Sequence, residues 1–416
     1  MADTKNDKNS NSPDKRAQDR NIVSCHAEHR ANALQGNSPA LRFPGFTDEW
    51  KSVTLGSITS NFSRRNKECK EYPMYSVTNN RGFIPQNEQF EDREMIGGDI
   101  KSYKIIEHGD FAYNPARINV GSIARYIGSE PCMVSSLYVC FKISDEIDGS
   151  FLMQFLKSPK ANFYYNAHGE GGVRIYLFYP NFARIKTAIP SLSEQRKISS
   201  LLSLIDERIA TQRRLIEDLE KLKSSIVDRC YRGNDNIKLG EFISQVSHRN
   251  RSNHTYKVMS VSNVRGFVLQ SEQFADREIA SENTTSYKIV TKDIFAYNPA
   301  RINIGSIARF KWYGKGIVSP MYVCFKVKGE LHSQYLEYFF QTQRFKNDVE
   351  LRLEGSVRLC LNFDALCEIE IPMLSLAKQA AISSTLETLD NKIDLEQKIL
   401  SNMNKQRKYL RSKLFI

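Results

Sequence analysis

Tyr113-Asn114-Pro115-Ala116-Arg117-Ile118-Asn119-Val120-Gly121-Ser122-Ile123-Ala124-Arg125 returns 184 residues downstream with one conservative change, as Tyr297-Asn298-Pro299-Ala300-Arg301-Ile302-Asn303-Ile304-Gly305-Ser306-Ile307-Ala308-Arg309. A fixed offset of this size means duplicated domains and not a short-period solenoid. The same offset aligns Arg81-Gly82-Phe83 with Arg265-Gly266-Phe267 and Ser102-Tyr103-Lys104 with Ser286-Tyr287-Lys288. It also aligns Asp92-Arg93-Glu94 with Asp276-Arg277-Glu278, Tyr138-Val139-Cys140-Phe141-Lys142 with Tyr322-Val323-Cys324-Phe325-Lys326, and Leu55-Gly56 with Leu239-Gly240. From Tyr72 to Lys142 more than half the positions match without a gap.

Outside the copies lie two stretches with another period. Ile198, Leu202, Ile205, Ile209, Gln212, Ile216 and Leu219 alternate steps of four and three, and so do Ile382, Leu386, Leu389, Ile393, Glu396, Leu400 and Met403. That is a coiled-coil seam. Its polar interruptions correspond by offset, Gln212 to Glu396 and Lys223 to Arg407. A polar residue at a seam position costs stability but can fix register. Each helix should run about 35 to 40 residues, hence about 50 to 60 Å. Neither can bury its stripe alone, and an antiparallel pair relates two equivalent halves by a pseudo-two-fold axis.

The expected organisation is a disordered tail over 1–38, a first recognition domain over 39–190 and a helical region over 191–232. A second domain over 233–372 and a second helical region over 373–416 follow. Within each copy, short β-rich runs such as Met74 to Val77, Asp110 to Tyr113 and Tyr138 to Ile143 alternate with Gly, Asn and Pro turns, and Phe151 to Leu156 reads as a helix. The fold class is therefore α+β: two repeated α/β domains, each a curved antiparallel sheet with one or two helices, joined by two long helices.

The chain has 416 residues and a formal charge of +12, with a pI near 9.2. That favours an anionic partner, most simply nucleic acid. Eight cysteines without a CxxC pair suggest neither a disulfide framework nor zinc. No signal peptide and no apolar run long enough to span a bilayer is visible, so the expected home is the cytoplasm. His26 and His29 would form a metal pair only on a helix, which the polar tail does not promise.

Catalytic signatures are missing. There is no GxxxxGK[ST] loop and no GxGxxG after a strand. Gly169-Glu170-Gly171-Gly172 faces only Glu354-Gly355-Ser356 in the second copy and reads as a loop. The seven histidines do not align between copies, which argues against histidine chemistry. Asn114-Pro115-Ala116-Arg117 lacks the second proline and the aromatic of an adenine methyltransferase signature. What both copies do carry is Arg, Asn and Lys in turn contexts. These are Asn79, Arg81, Arg93, Lys104, Asn114, Arg117, Asn119, Arg125 and Arg174 in the first. In the second they are Asn263, Arg265, Arg277, Lys288, Asn298, Arg301, Asn303, Arg309 and Arg358. Arg forks match guanine, Asn matches adenine, and Lys holds phosphates, so these are candidate DNA contacts. Asp92-Arg93-Glu94 equally fits an internal salt bridge, and Asn114-Pro115 a plain turn.

The arrangement resembles the specificity (S) subunit of type I restriction–modification systems. The resemblance rests on Leu41-Arg42-Phe43-Pro44-Gly45-Phe46 with Trp50, and on the Leu-Gly that opens each copy. It extends to Ile189-Pro190-Ser191-Leu192-Ser193-Glu194-Gln195 before the first helix and Ile371-Pro372-Met373-Leu374-Ser375 before the second. The second copy departs from the Glu-Gln pattern, with Lys378-Gln379 after two extra residues. The resemblance implies two target-recognition domains, each reading half of a split DNA sequence, and two conserved helical regions that dock two modification subunits. Those partners would use S-adenosylmethionine to methylate adenine. Restriction subunits would add ATP- and magnesium-dependent translocation and cleavage. The chain itself would bind no cofactor and no metal and would not be catalytic. Because the two copies are so alike, the half-sites should be inverted repeats. Competing readings are a stand-alone DNA-modifying enzyme, and a coiled-coil scaffold or DNA- or RNA-binding protein without a restriction role. No RNP-type aromatic motif supports RNA.

Overall fold

The computed structural model describes residues 38–89, 100–172, 175–233, 235–273, 283–356 and 358–416. The tail expected at 1–38 therefore lies outside the described residues apart from Ser38, as do His26 and His29. Of the described residues, those up to Ala210 with Ser401–Ile416 form one compact unit, and Thr211–Leu400 form the other.

The repeated stretch builds the central sheet of each unit. In the first unit the antiparallel order is Thr59–Phe62, Val139–Ile143, Phe111–Tyr113, Ile123–Arg125. In the second it is Ile243–Val246, Val323–Val327, Phe295–Tyr297, Ile307–Arg309. Registers repeat position for position: Phe111 faces Phe141 and Phe295 faces Phe325, and those rings stack at 5.0 and 5.1 Å. The strands Phe111–Tyr113 and Phe295–Tyr297 are buried throughout, as befits a central strand covered on both faces.

A second sheet corrects the expectation of one antiparallel sheet. In the second unit the strand order is Gly266–Leu269, Lys257–Ser262, Lys315–Val318, Lys288–Thr291. Its middle pair, Lys257–Met259 with Gly316–Val318, is parallel. The first unit holds the equivalent strands as two antiparallel pairs, linked by a parallel bridge from Met74 to Met133. Side-chain alternation reports which face a strand buries and not the direction of a distant neighbour. The helices also exceed expectation. Gly149–Leu156, Pro159–His168 and Tyr179–Ala183 have equivalents in Ser333–Phe339, Gln343–Leu351 and Phe363–Cys367. Ser158 and Thr342 cap the middle helix of each set through their hydroxyls.

Each unit is closed by its own ends. Lys51–Thr54 pairs with Lys186–Ile189, and Asn236–Lys238 with Glu370–Pro372. The Leu-Gly that opens each copy then has a local reason. Leu55 N–H donates to Ile185 and Leu239 N–H to Ile369. A Cβ on Gly56 would stand 2.9 Å from Ala183 Cβ, and one on Gly240 3.0 Å from Cys367 Cβ, so glycine lets the short helices Tyr179–Ala183 and Phe363–Cys367 pack close.

The long helices run Leu192–Cys230 and Leu376–Leu414, 39 residues each. In each unit they run antiparallel and anchor the domain. Ile198, Leu202 and Leu414 join the first core, and Val227 and Leu386 the second. All fourteen seam positions are buried or half-buried, Ile209, Ile216 and Ile393 among the most enclosed. Contacts in the two units are exchanged copies. Asp206 meets Arg407 at 2.8 Å in the first, and Asp390 meets Lys223 in the second. Gln154 donates to Asp206, and Tyr338 donates to Asp390. Gln212 donates to Glu396, its own counterpart.

A glutamine fastens each helix to its domain. Gln195 accepts from Asp148 N–H and donates to the Pro190 and Glu146 carbonyls. Gln379 accepts from His332 N–H and donates to Leu374 and Glu330. Gln379 stands 184 residues after Gln195, the offset of the whole repeat, so the two extra residues expected before it are a shift of the Ile-Pro pair and not an insertion, and its role is intact. The preceding residue differs. Glu194 takes both forks of Arg42 at 2.8 Å, which raises the arginine pKa mainly through that bond and the charge of Glu194, against burial. Lys378 in the same place is exposed. Phe43 and Phe46 both lie under Lys197, and Trp50 is buried edge-on to Phe151.

Candidate nucleic-acid interface

The duplicated stretch makes a tight loop beside a β-hairpin turn in each unit. Asn114 accepts from Ala116 N–H through its side-chain oxygen, and Asn298 from Ala300 N–H. These are Asx turns, so both asparagine acceptors are occupied by their own loops. Short 3-10 helices, Ile118–Val120 and Ile302–Ile304, end on Gly121 at φ +99° and Gly305 at φ +90°, left-handed values that glycine adopts without strain. Ser122 and Ser306 donate to the Val77 and Val261 carbonyls. The loop is thereby pressed on the hairpin: a Cβ on Gly121 would lie 3.4 Å from Asn79 Cβ.

The structure sorts the candidates. Asn79, Arg81, Arg117, Asn263, Arg265, Arg301, Asn303 and Arg358 are exposed. Arg81 is paired with Glu88 at 2.9 Å, and the half-buried Asn119 donates to Asn166. Lys104 and Lys288 are half-buried and donate to the Tyr138 and Tyr322 carbonyls, which makes them internal ties. Arg93, Arg174 and Arg277 lie outside the described residues. In the second unit Asn263, Arg265, Asn303 and Arg309 line one cleft of about 740 Å³. Asn263 also lines a second cleft, of about 270 Å³, with Asn298 and Arg301. In the first unit Arg81 and Arg125 line a cleft of about 500 Å³.

Sequence reading missed Lys157 in the first cleft and Lys346 in the second, which also holds Lys311 and Trp312. Tyr313, beside Trp312, is 91% exposed with Lys292 over its ring. Lys311 and Trp312 fall where the copies diverge in sequence, Phe310-Lys311-Trp312 against Tyr126-Ile127-Gly128, a difference that can set the two half-sites apart. The cysteines repeated in the two central sheets are buried. Burial pushes the Cys140 thiol up to about 12 and the Cys324 thiol up to about 11, so neither is a thiolate at neutral pH. The glycine-rich loop is pinned by a Glu170–Tyr176 bridge, repeated as Glu354–Cys360. Among the described residues no group of three His, Cys, Asp or Glu side chains is placed to hold a metal, and no helix is long and apolar enough to cross a membrane.

Two α/β units of one build, each with a basic cleft, define a duplicated recognition protein suited to an anionic ligand. Comparison with known proteins gives the family. The model of the type I restriction modification DNA specificity domain matches residues 47–221 and again 238–405. The chain belongs to this family, that of the type I restriction–modification specificity subunits. It is 22% identical over 435 residues to the type I restriction enzyme MjaVIII specificity subunit of Methanocaldococcus jannaschii, covering 93% of this chain and 95% of that one. In fold it is similar to the type I S subunit of M. genitalium, with a TM-score of 0.54 at 16% identity over 91% of this chain and 99% of that one. A chain from a solved type I system, described for its complex assembly and conformational transition, gives 0.55 at 14% identity over 90% and 98%.

Proposed function

We propose that this specificity subunit reads a split duplex target with its two domains. Its helices dock two methyltransferase subunits, and restriction subunits complete the complex. The chain contributes recognition and no catalysis. S-adenosylmethionine, ATP and magnesium serve the partners, in a bacterial or archaeal cytoplasm. The observation that carries this reading is the duplication of a basic cleft on matched scaffolds. The DNA-facing residues would be the exposed candidates of the two loops and hairpin turns. Exposed Leu204, Leu215, Leu222 and Leu395 on the long helices support protein docking there.

The likeness of the two copies supports half-sites in inverted orientation, because like domains meet a two-fold duplex as inverted copies. Long-read methylation mapping in cells expressing the chain with its modification subunit tests all of this. A split adenine motif with matching inverted halves is expected. A split motif with wholly unlike halves would sink the inverted-repeat reading, and no motif at all would sink the recognition reading.

A further inference from the structure

The two clefts are built on equivalent residues but differ in how their central arginine is treated. In the second unit Arg309 donates to Glu337 at 2.9 Å and to Asp293 at 2.9 Å. Glu337 also holds Lys311 at 2.8 Å. The side chains of Arg309 and Glu337 are only 14% and 16% exposed. Two carboxylates thus neutralise two cations at that wall.

By the offset, the first unit has Gly109 in place of Asp293 and Met153 in place of Glu337. Both acids are gone and the arginine remains. Arg125 is half-buried, and its Nε is buried without a hydrogen-bond partner. Its guanidinium lies over Gly149, where a Cβ would stand 2.8 Å from the guanidinium carbon. The cleft it lines carries Arg81 and Lys157 and no acidic side chain among the described residues.

A buried polar group without a partner destabilises the fold, more so when charged, and native chains keep few of them. Arg81 is answered by Glu88, but the guanidinium of Arg125, in an open cleft with no acidic residue among its described lining, is left free to take an anion. Backbone geometry in the other unit points the same way. Asp293 sits at φ +67°, a region that few non-glycine residues occupy. It does so where its carboxylate reaches Arg309. The equivalent Gly109, at φ +90°, leaves that reach empty.

We propose that Arg125 anchors a phosphate or a guanine edge of duplex DNA in the first cleft, and that Asp293 and Glu337 withdraw Arg309 from the same role. The two recognition units then grip DNA unequally, although their loops are near copies. The proposal rests on the DNA-reading function above and adds the residue that makes the halves differ.

The test uses the full chain and a short mixed-sequence duplex, titrated over a range of KCl. Arg125→Met removes the cation, and Gly109→Asp gives it the missing carboxylate. The second change has room, with Arg125 Nη2 at 3.9 Å the nearest atom to a Cβ, and its φ of +90° carries the backbone strain that Asp293 bears at +67°. Each should weaken binding about five- to tenfold and lower the salt slope by about 1. The reverse pair, Asp293→Gly with Glu337→Met, should strengthen binding by a similar factor. Equal loss on every duplex assigns a phosphate. Loss confined to the methylation target assigns a base edge. Wild-type binding with all three variants indifferent would overturn the proposal alone. No duplex binding by the wild-type chain would overturn it together with the DNA-reading function. Unchanged thermal melts of Gly109→Asp separate a binding loss from a folding one.

Discussion

The two units share a core and differ at the rim. Phe111 and Phe295, Phe141 and Phe325, Gln195 and Gln379 occupy the same contacts in each. Glu194 against Lys378, Gly109 against Asp293, and Met153 against Glu337 do not. A packed interior tolerates little change of shape, whereas a solvated rim can exchange charges at small cost. The duplication therefore preserved the scaffold while the charges on it went their own ways.

The core comparison predicts the largest effects. Phe111→Ala and Phe295→Ala should each cost about 3–5 kcal/mol. Hydrogen exchange should rise in the mutated unit. Markedly different costs at the two sites would break the equivalence of the cores. The helix start should be less symmetric. Arg42→Ala strands Glu194, whose side chain is 1% exposed. Water reaches the guanidinium, so the loss should fall below that of a fully enclosed pair, at about 2 kcal/mol. Lys378→Ala, on an exposed side chain, should stay within about 0.5 kcal/mol. Urea denaturation of both variants compares them directly, and equal losses would refute the asymmetry.

The seam sharpens the comparison through pH. Bonds from Lys392 and Gln212 hold the Glu396 carboxyl below the usual carboxylate range. Its stabilising share is therefore present above that range and lost as pH falls through the lowered value. Gln212→Glu would set two carboxylates against each other. That variant should melt lower than wild type at neutral pH, and the gap should narrow on acidification as one carboxyl takes a proton. A gap that widens with acid would count against the contact. The smallest effect belongs to the exposed loop arginines. Arg117→Ala and Arg301→Ala should each lower the salt slope of duplex binding by about 1, and alike. Unequal slopes here would move the asymmetry from the cleft to the loops.

Much of the fold could be read in advance because repetition and period are properties of order along the chain. The 184-residue offset placed every strand of one unit on a strand of the other. The four-three spacing found both long helices, Leu192–Cys230 and Leu376–Leu414, each of which contains its whole seam. The candidate contacts were only partly legible. Lys104 and Lys288 look like phosphate ligands in sequence, yet their ammonium groups are spent on the Tyr138 and Tyr322 carbonyls 34 residues away. Asn114 and Asn298 look like adenine readers, yet their acceptors close their own turns.

Sequence alone determined the duplication, the helical seam, the basic charge and the family, because each depends on residue type and spacing. Only the tertiary structure decided that one sheet is mixed and that a glutamine latches each helix to its domain. It alone showed that Arg309 is neutralised where Arg125 is not. Those outcomes depend on which side chains meet across 16 and 28 residues in Arg309's ion pairs, and 47 in the glutamine latch. A one-residue change at either end of such a contact leaves the local pattern unaltered while reversing the charge balance of the site.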